Sequence, residues 1–197
     1  MKKLMAFILL VFAFCFGSSM MTSAATSVVN TTAPADTALF IQIDPNGVGK
    51  PKETEEEICK AVQEKLKELN HTVISTDKTQ QDLRIYLREN AETVTQRGSD
   101  EGVILKGTDF QALGALENVR YVVLVSSRIT SAETKSNFWT GSRKNLTVLT
   151  EVVVYDSQAK QYLMADEFTT VGSTSGSNDR AYSRAINEML EQVNFNY

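Results

Sequence analysis

Apolar side chains recur at two different spacings along this chain, and the two spacings predict helices and strands. Spacings of three and four residues occur in two segments, which we expect to form helices over 54–69 and 178–193. Thr54 and Glu57 have the spacing of a capping box, so the first of these helices is expected to begin at Thr54. Two shorter helices are predicted over 77–94 and 108–116.

Five runs rich in β-branched and other apolar residues are typical of strands. In chain order they are 38–43, 71–76, 121–125, 146–155 and 162–171. The polar segment 156–161 is predicted to be a turn, so the last two strands should form an antiparallel hairpin. Two further polar segments, 96–107 and 131–145, are predicted to be loops.

The order of these elements is β-α-β-α-α-β-β-β-α. Helices between the early strands indicate parallel crossovers, and the late hairpin indicates antiparallel neighbours. The predicted fold class is therefore α/β, with a single mixed β-sheet of about five strands, helices packed on it, and a C-terminal hairpin plus helix.

The first 25 residues have the features of a bacterial export signal. Lys2 and Lys3 precede the apolar run 4–16, and small residues lead to Ala25. The run is shorter than the roughly 20 apolar residues that a membrane span requires. Cys15 follows Phe14 and not the small residue that lipid attachment favours, so we assign Cys15 to the apolar run.

With this signal assigned, we divide the chain into three segments. They are a signal peptide over 1–25, a flexible leader over 26–37 and a single α/β domain over 38–197. The chain is predicted to be exported, to the periplasm or the extracellular medium, with no transmembrane span after signal cleavage. Its oligomeric state stays open.

Composition narrows the chemistry that this domain can perform. The 197 residues are 42% hydrophobic and 22% charged, as in ordinary globular proteins. A net charge of −4 gives no global attraction for nucleic acid, so no nucleic acid partner is expected. Two Cys and one His are too few for a Cys/His metal cluster, and we expect neither a metal nor another cofactor. Cys59, left alone after signal cleavage, is expected to be a packed residue and not a reactive thiol.

The usual catalytic arrangements are missing from the sequence, and no catalytic residue is predicted. His71 is the only histidine, and no serine or cysteine is suitably placed to use it as a base. The segment 44–51 partly resembles a phosphate-binding loop, but Pro51 replaces the hydroxyl that holds magnesium. Asp166 and Glu167 are adjacent on a strand, so they should point to opposite faces. The chain is therefore predicted not to be an enzyme, with a carboxylate-based hydrolase left open.

One short segment has the composition of a binding surface. It combines two aromatic residues, one of them the only Trp, with nearby basic residues, and such residues dominate binding hot spots. The candidate partner- or ligand-binding residues are Lys135, Phe138, Trp139, Arg143 and Lys144. The alternative is that the following strand begins earlier and that both aromatic side chains pack on the sheet.

The stretch 113–126, LGALENVRYVVLVS, is similar to a Leu-Gly-Ala-Asp-Tyr-Val-Val-x-Gly passage found in a group of bacterial envelope domains. That group includes the amino-terminal domain of TolB, the curli secretion subunit and the LpoB-like activators of penicillin-binding proteins. A hairpin and a closing helix follow the passage there, as 146–171 and 178–193 are predicted to do here. Ser126 or Ser127 stands where the group has glycine.

The resemblance implies an envelope accessory domain that binds other proteins and catalyses nothing. Combined with the export signal, it predicts an accessory or scaffold protein whose partner is another protein of the cell envelope. Free sheet edges beside 131–145 would be the docking surface. The alternative is a periplasmic or secreted protein that binds a small molecule or glycan near Trp139.

Overall fold

A computed structural model describes residues 35–91, 94–96, 103–138 and 141–197 of the chain. The chain divides into two units, Met1–Thr32 and Ala33–Tyr197, and all that follows concerns the second. The predicted signal peptide and nearly all of the predicted leader lie outside the described residues. The first strand begins at Thr37, which is the last residue of that leader.

The first half of the chain holds three helices and three short strands, and the second half holds three long strands and a closing helix. In chain order they are β1 Thr37–Ile43, α1 Pro51–Glu68, α2 Thr76–Glu89, β2 Thr95–Gln96, β3 Val103–Ile104, α3 Gly107–Glu117, β4 Tyr121–Asn137, β5 Gly141–Asp156, β6 Gln161–Thr174 and α4 Asn178–Gln192. None of the helices in the described residues is long and apolar enough to cross a membrane.

The main sheet is mixed and has four strands in the order β1-β4-β5-β6. β1 runs parallel to β4, as expected for strands joined by helical crossovers. β4, β5 and β6 are antiparallel neighbours. The two short strands β2 and β3 pair with each other in a separate ribbon. The α/β class and the C-terminal hairpin plus helix agree with the sequence, whereas the predicted five-stranded sheet does not.

The predicted second strand over 71–76 is wrong. In this segment only Val73 forms a bridge, an isolated parallel one with Thr37. Ser75 is the N-cap residue of α2, which begins at Thr76. The Ser75 side chain makes no capping hydrogen bond, but its carbonyl accepts from the amide of Thr79 in the first turn of α2, so the helix takes the end of this β-branched run.

The starts of two helices also differ from the prediction. α1 begins at Pro51 and not at Thr54, because the fixed φ angle of proline suits the first turn of a helix. The predicted capping box of Thr54 and Glu57 therefore lies inside the helix. α3 begins at Gly107, and the carboxylate of Asp109 accepts a hydrogen bond of 2.7 Å from the amide of Lys106.

The predicted loops over 96–107 and 131–145 are wrong in different ways. The first contains the short strand β3, paired with β2. The second is mostly strand, because β4 continues to Asn137 and β5 begins at Gly141. The backbone groups of β4 and β5 pair with each other as far as Asn137 and Gly141, although many of these residues are polar. The pairing has a bulge between Ile129 and Ser131.

The sheet separates two hydrophobic layers. α1 and α4 cover one face, and α2 and α3 pack against the other. β5 shows the difference between the faces most clearly, since every second residue from Leu146 to Val152 is buried beneath α1 and α4. The residues between them, from Thr147 to Val153, are only half-buried. Beyond the edge of α3, therefore, one face of the sheet is open.

Candidate functional site

The far end of the β4–β5 hairpin extends past both neighbouring strands. Within the described residues, β4 pairs with β1 only as far as Ser127, and β6 pairs with β5 only from Lys144 onward. The ribbon formed by 135–137 and 141–143 is therefore two strands wide, and we call it, with Phe138, the hairpin end. Isolated two-stranded ribbons are only marginally stable in water, so this segment depends on the body of the sheet for its order.

Phe138 lies at the turn of the hairpin end, and 93% of its surface is exposed. Gly141 follows the turn with a φ of +75°, a left-handed conformation that favours glycine. Trp139 lies outside the described residues. Of the two interpretations of this segment, the earlier start of β5 is therefore found, but Phe138 does not pack on the sheet.

The structure places two of the three predicted basic residues together. Lys135 and Arg143 are directly opposite each other across the ladder, so their side chains share one face. Lys144 is the next residue on β5 and therefore points to the other face, opposite Thr134. Because Lys135 and Arg143 both carry a positive charge, the face that they share has a local positive potential. As a directly opposed pair of like charges, they also repel each other.

Glu133 lies two residues from Lys135 on the same face, and their side chains are 3.6 Å apart. Both side chains are mostly exposed, and ion pairs of this kind contribute little to stability because water and salt screen them. Glu133 therefore reduces the positive potential of Lys135 and Arg143 at the hairpin end but does not cancel it.

A second charged region on the same face was missed by the sequence analysis. Glu151 on β5 is directly opposite Glu167 on β6, and Arg128 on β4 is two residues away in the ladder. The missing signal was the register between β5 and β6, which places the two glutamates opposite each other and which spacing along the chain does not give. Asp166 and Glu167 do point to opposite faces, as predicted from their adjacency.

A cavity of about 280 Å³ borders this acidic region. Its walls are apolar side chains of α3, the β2–β3 ribbon and the sheet, and Glu151 and Glu167 lie at its margin. Tyr162, beside it, stacks edge-on against Phe110 and Tyr155. Burial raises the pKa of the Tyr162 hydroxyl, which therefore stays neutral at physiological pH.

Two reactive groups considered in the sequence, Cys59 and His71, are engaged in the fold. Cys59 is buried, and burial raises the pKa of its thiol to about 11, so the nucleophilic thiolate is scarce at neutral pH. The ring of His71 stacks on Tyr197 at a centroid distance of 4.5 Å. Its Nδ1 lies 3.4 Å from a carboxylate oxygen of Asp36. Among the described residues, no three His, Cys, Asp or Glu side chains are grouped as metal ligands would be.

The segment that partly resembles a phosphate-binding loop has its amides occupied. The backbone N–H groups of Gly49 and Lys50 donate to the same carboxylate oxygen of Asp179, over 2.9 and 3.1 Å. A phosphate would need these donors and would meet the negative charge of Asp179. The segment instead joins the start of α1 to the start of α4.

Comparisons with known proteins place the chain by its fold only. No family model matches it, and no curated protein matches it either. Solved structures similar to it include lipoprotein GNA1162 from Neisseria meningitidis, at 12% identity and a TM-score of 0.45, covering 81% of this chain and 97% of that one. The LpoB C-terminal domain from Escherichia coli matches at 13% identity and a TM-score of 0.36, covering 74% and 87%.

A putative neuraminyllactose-binding hemagglutinin homolog from Helicobacter pylori is also similar, at 9% identity and a TM-score of 0.40, covering 83% of this chain and 87% of that one. The LpoB domain is a member of the group that the sequence resembles. Similarity this distant carries no argument about function, which must come from this chain's own residues.

Proposed function

We propose that this chain is an exported, non-enzymatic accessory domain of the cell envelope that binds another envelope protein through its hairpin end. The signal-like pattern of residues 1–25 supports export. The engagement of Cys59, His71 and Asp179 in the fold supports a role without catalysis. The exposure of Phe138 is the observation that carries the binding role.

A phenylalanine that is 93% exposed at the end of a ribbon contributes almost no burial to the fold of the chain itself. Burying such a side chain in a partner gains about 1.5–3 kcal/mol relative to leaving it in water. Lys135 and Arg143 lie beside Phe138 and add charge that can orient an acidic partner. A central aromatic anchor with flanking basic residues is the usual composition of a binding hot spot.

The partner that fits this surface presents an apolar pocket for Phe138 with carboxylates around it. The backbone of β4 beyond Ser127 adds a second means of binding, since no strand among the described residues pairs with that edge. An extended segment of the partner can lie along this edge and continue the sheet. Lys144, on the other face, would contact a partner that surrounds the hairpin end.

The proposal predicts that a double substitution at the turn removes the partner. The full chain, tagged and expressed in its own host, is crosslinked in the cell and recovered with what it binds. We expect one defined envelope protein with the wild type, and a loss of about tenfold or more for Phe138→Ala/Trp139→Ala, as for the removal of hot-spot anchors. The matched control is Leu116→Ala, which removes another exposed apolar side chain, on α3.

Two results would count against the proposal. Recovery of the chain alone would contradict a partner protein. Equal recovery of the same partner with the double variant would contradict the hairpin end as its site. Since the chain has a single Trp, a change of its fluorescence with envelope glycans in the first case would favour the glycan-binding alternative.

A further inference from the structure

A surface of the sheet that shares Lys135 and Arg143 with the hairpin end has the pattern of a self-complementary interface, and this inference does not depend on the proposed function. It is the open face, formed by residues of β4, β5 and β6 that point away from α1 and α4. We propose that two copies of this chain associate through their open faces as a two-fold symmetric dimer.

The open face is exposed on strands that are otherwise well packed. On β5, Val148, Thr150 and Val152 are buried, while Thr147 and Leu149 between them are only half-buried. Val171, which pairs with Thr147 from β6, is 50% exposed. An antiparallel sheet can leave one face to water, and this face has room for a further layer.

The ladder arranges the open face in five rungs, each made of residues that pair across the strands. From the hairpin end inward, the rungs are Lys135–Arg143, Glu133–Asn145–Ser173, Ser131–Thr147–Val171, Arg128–Leu149–Thr169 and Ser126–Glu151–Glu167. Beyond the fifth rung, the β2–β3 ribbon and α3 border the face at the cavity described above. The five rungs therefore define the surface that another molecule can cover.

The charges on these rungs are antisymmetric about the third rung. The first rung has two positive charges and the fifth has two negative charges. The second has one negative charge, at Glu133, and the fourth has one positive charge, at Arg128. The third rung, at Thr147, is uncharged, and the six charges of the face sum to zero.

A two-fold axis between two such faces brings every charged rung over a rung of opposite charge. The axis lies midway between the two sheets, over Thr147 of β5, parallel to the sheets and perpendicular to the strands, so the strands of the second copy run in the opposite direction. The first rung of each copy then lies over the fifth rung of the other, and Glu133 lies over Arg128. At about 3.4 Å per residue, the end rungs are about 14 Å from the axis on either side.

Association would bring counter-charges to two pairs of like charge in each copy. Lys135 lies opposite Arg143 and Glu151 lies opposite Glu167 in the ladder. In the dimer each pair lies over a rung of opposite sign, so its charges gain further partners. The short side chains of the third rung allow the two sheets to approach to about 10 Å, the normal spacing of packed sheets, with a rotation near 30°.

Charge exchange on the full chain tests this arrangement. Arg143→Glu and Glu167→Lys change exposed side chains. Each substitution makes its end rung neutral and places there one charge of the same sign as the rung it faces, so each should weaken dimerisation by about tenfold or more, measured by sedimentation. An equimolar mixture of the two variants, and the chain carrying both, should restore dimerisation to near the wild-type level. The wild-type dimer should also weaken as salt concentration rises.

The matched control is Lys144→Glu, since Lys144 is next to Arg143 but on the opposite face, and it should leave the dimer unchanged. A wild type that stays monomeric at the highest concentration reached would overturn the dimer. A dimer that Arg143→Glu leaves unchanged, or that the mixture does not restore, would overturn this surface. Phe138→Ala should remain dimeric, so failure of the dimer and failure of the proposed function can be distinguished.

Discussion

Replacing Gly172 by alanine is expected to lower the free energy of unfolding by about 3 kcal/mol or more, or to prevent folding altogether. Gly172 lies on β6 at the point where the backbone of α4 approaches the sheet most closely. A Cβ atom there would overlap the carbonyl oxygen of Ala181 and lie 2.9 Å from the amide nitrogen of Ala185. Both atoms belong to the helix backbone, so α4 as a whole would have to move away from the core.

Chemical denaturation of Gly172→Ala and the wild type measures this loss. Gly176→Ala is the matched control, because its nearest neighbour is the Cδ atom of Arg180 at 3.3 Å, on a side chain that can move. The control should change the free energy of unfolding by less than about 1 kcal/mol. Equal stability of the two variants would show that α4 does not pack on β6 as described.

Replacing Asp156 by alanine is expected to cost about 2 kcal/mol of stability at neutral pH. Its buried carboxylate accepts hydrogen bonds of 2.9 and 2.8 Å from the backbone N–H groups of Gln158 and Ala159, which close the β5–β6 turn. It also accepts from Nε of Arg120 over 2.9 Å. Alanine leaves all three donors without this acceptor. Asp166→Ala, an exposed acid on β6, is the control and should have little effect.

The contribution of Asp156 should depend on pH. Burial acts to raise the pKa of its carboxyl, but the hydrogen bonds from Ala159, Arg120 and Gln158 outweigh burial and hold the pKa below its usual value of 3.8. A lowered pKa in the folded state stabilises the fold at pH values above 3.8, and this stabilisation is lost as the pH falls below it. The difference between wild type and Asp156→Ala should therefore shrink in acid. A difference that stays constant down to pH 3 would contradict this role.

The helices were predictable from the sequence because their apolar stripes are local. The stripe predicted over 178–193 corresponds to α4, Asn178–Gln192, which begins after the N-cap Ser177. The segment 71–76 has the composition of a strand but makes a single bridge, because a helix cap at Ser75 competes with pairing. The composition of a segment shows whether it favours strand or helix, but its contacts with neighbouring elements determine which of the two it forms.

The candidate site could be predicted only in part. The aromatic and basic residues of 131–145 indicated a binding segment. Their polar neighbours are typical of a loop, so the long strands β4 and β5 were not predicted there. Which basic residues share a face depends on register, and a shift of one residue moves every side chain to the other face. The bulge between Ile129 and Ser131 introduces such a shift, so the opposition of Lys135 and Arg143 could not be derived from spacing.

The role of the hairpin end is tested most directly by a photo-reactive side chain at position 138. The full chain is expressed in its own host with this residue in place of Phe138, and in a second experiment in place of Leu116, which is 54% exposed on α3. We predict a covalent adduct with one envelope protein from position 138 and none from position 116. Irradiation that yields no adduct at 138, or the same adducts at both positions, would contradict binding through the hairpin end.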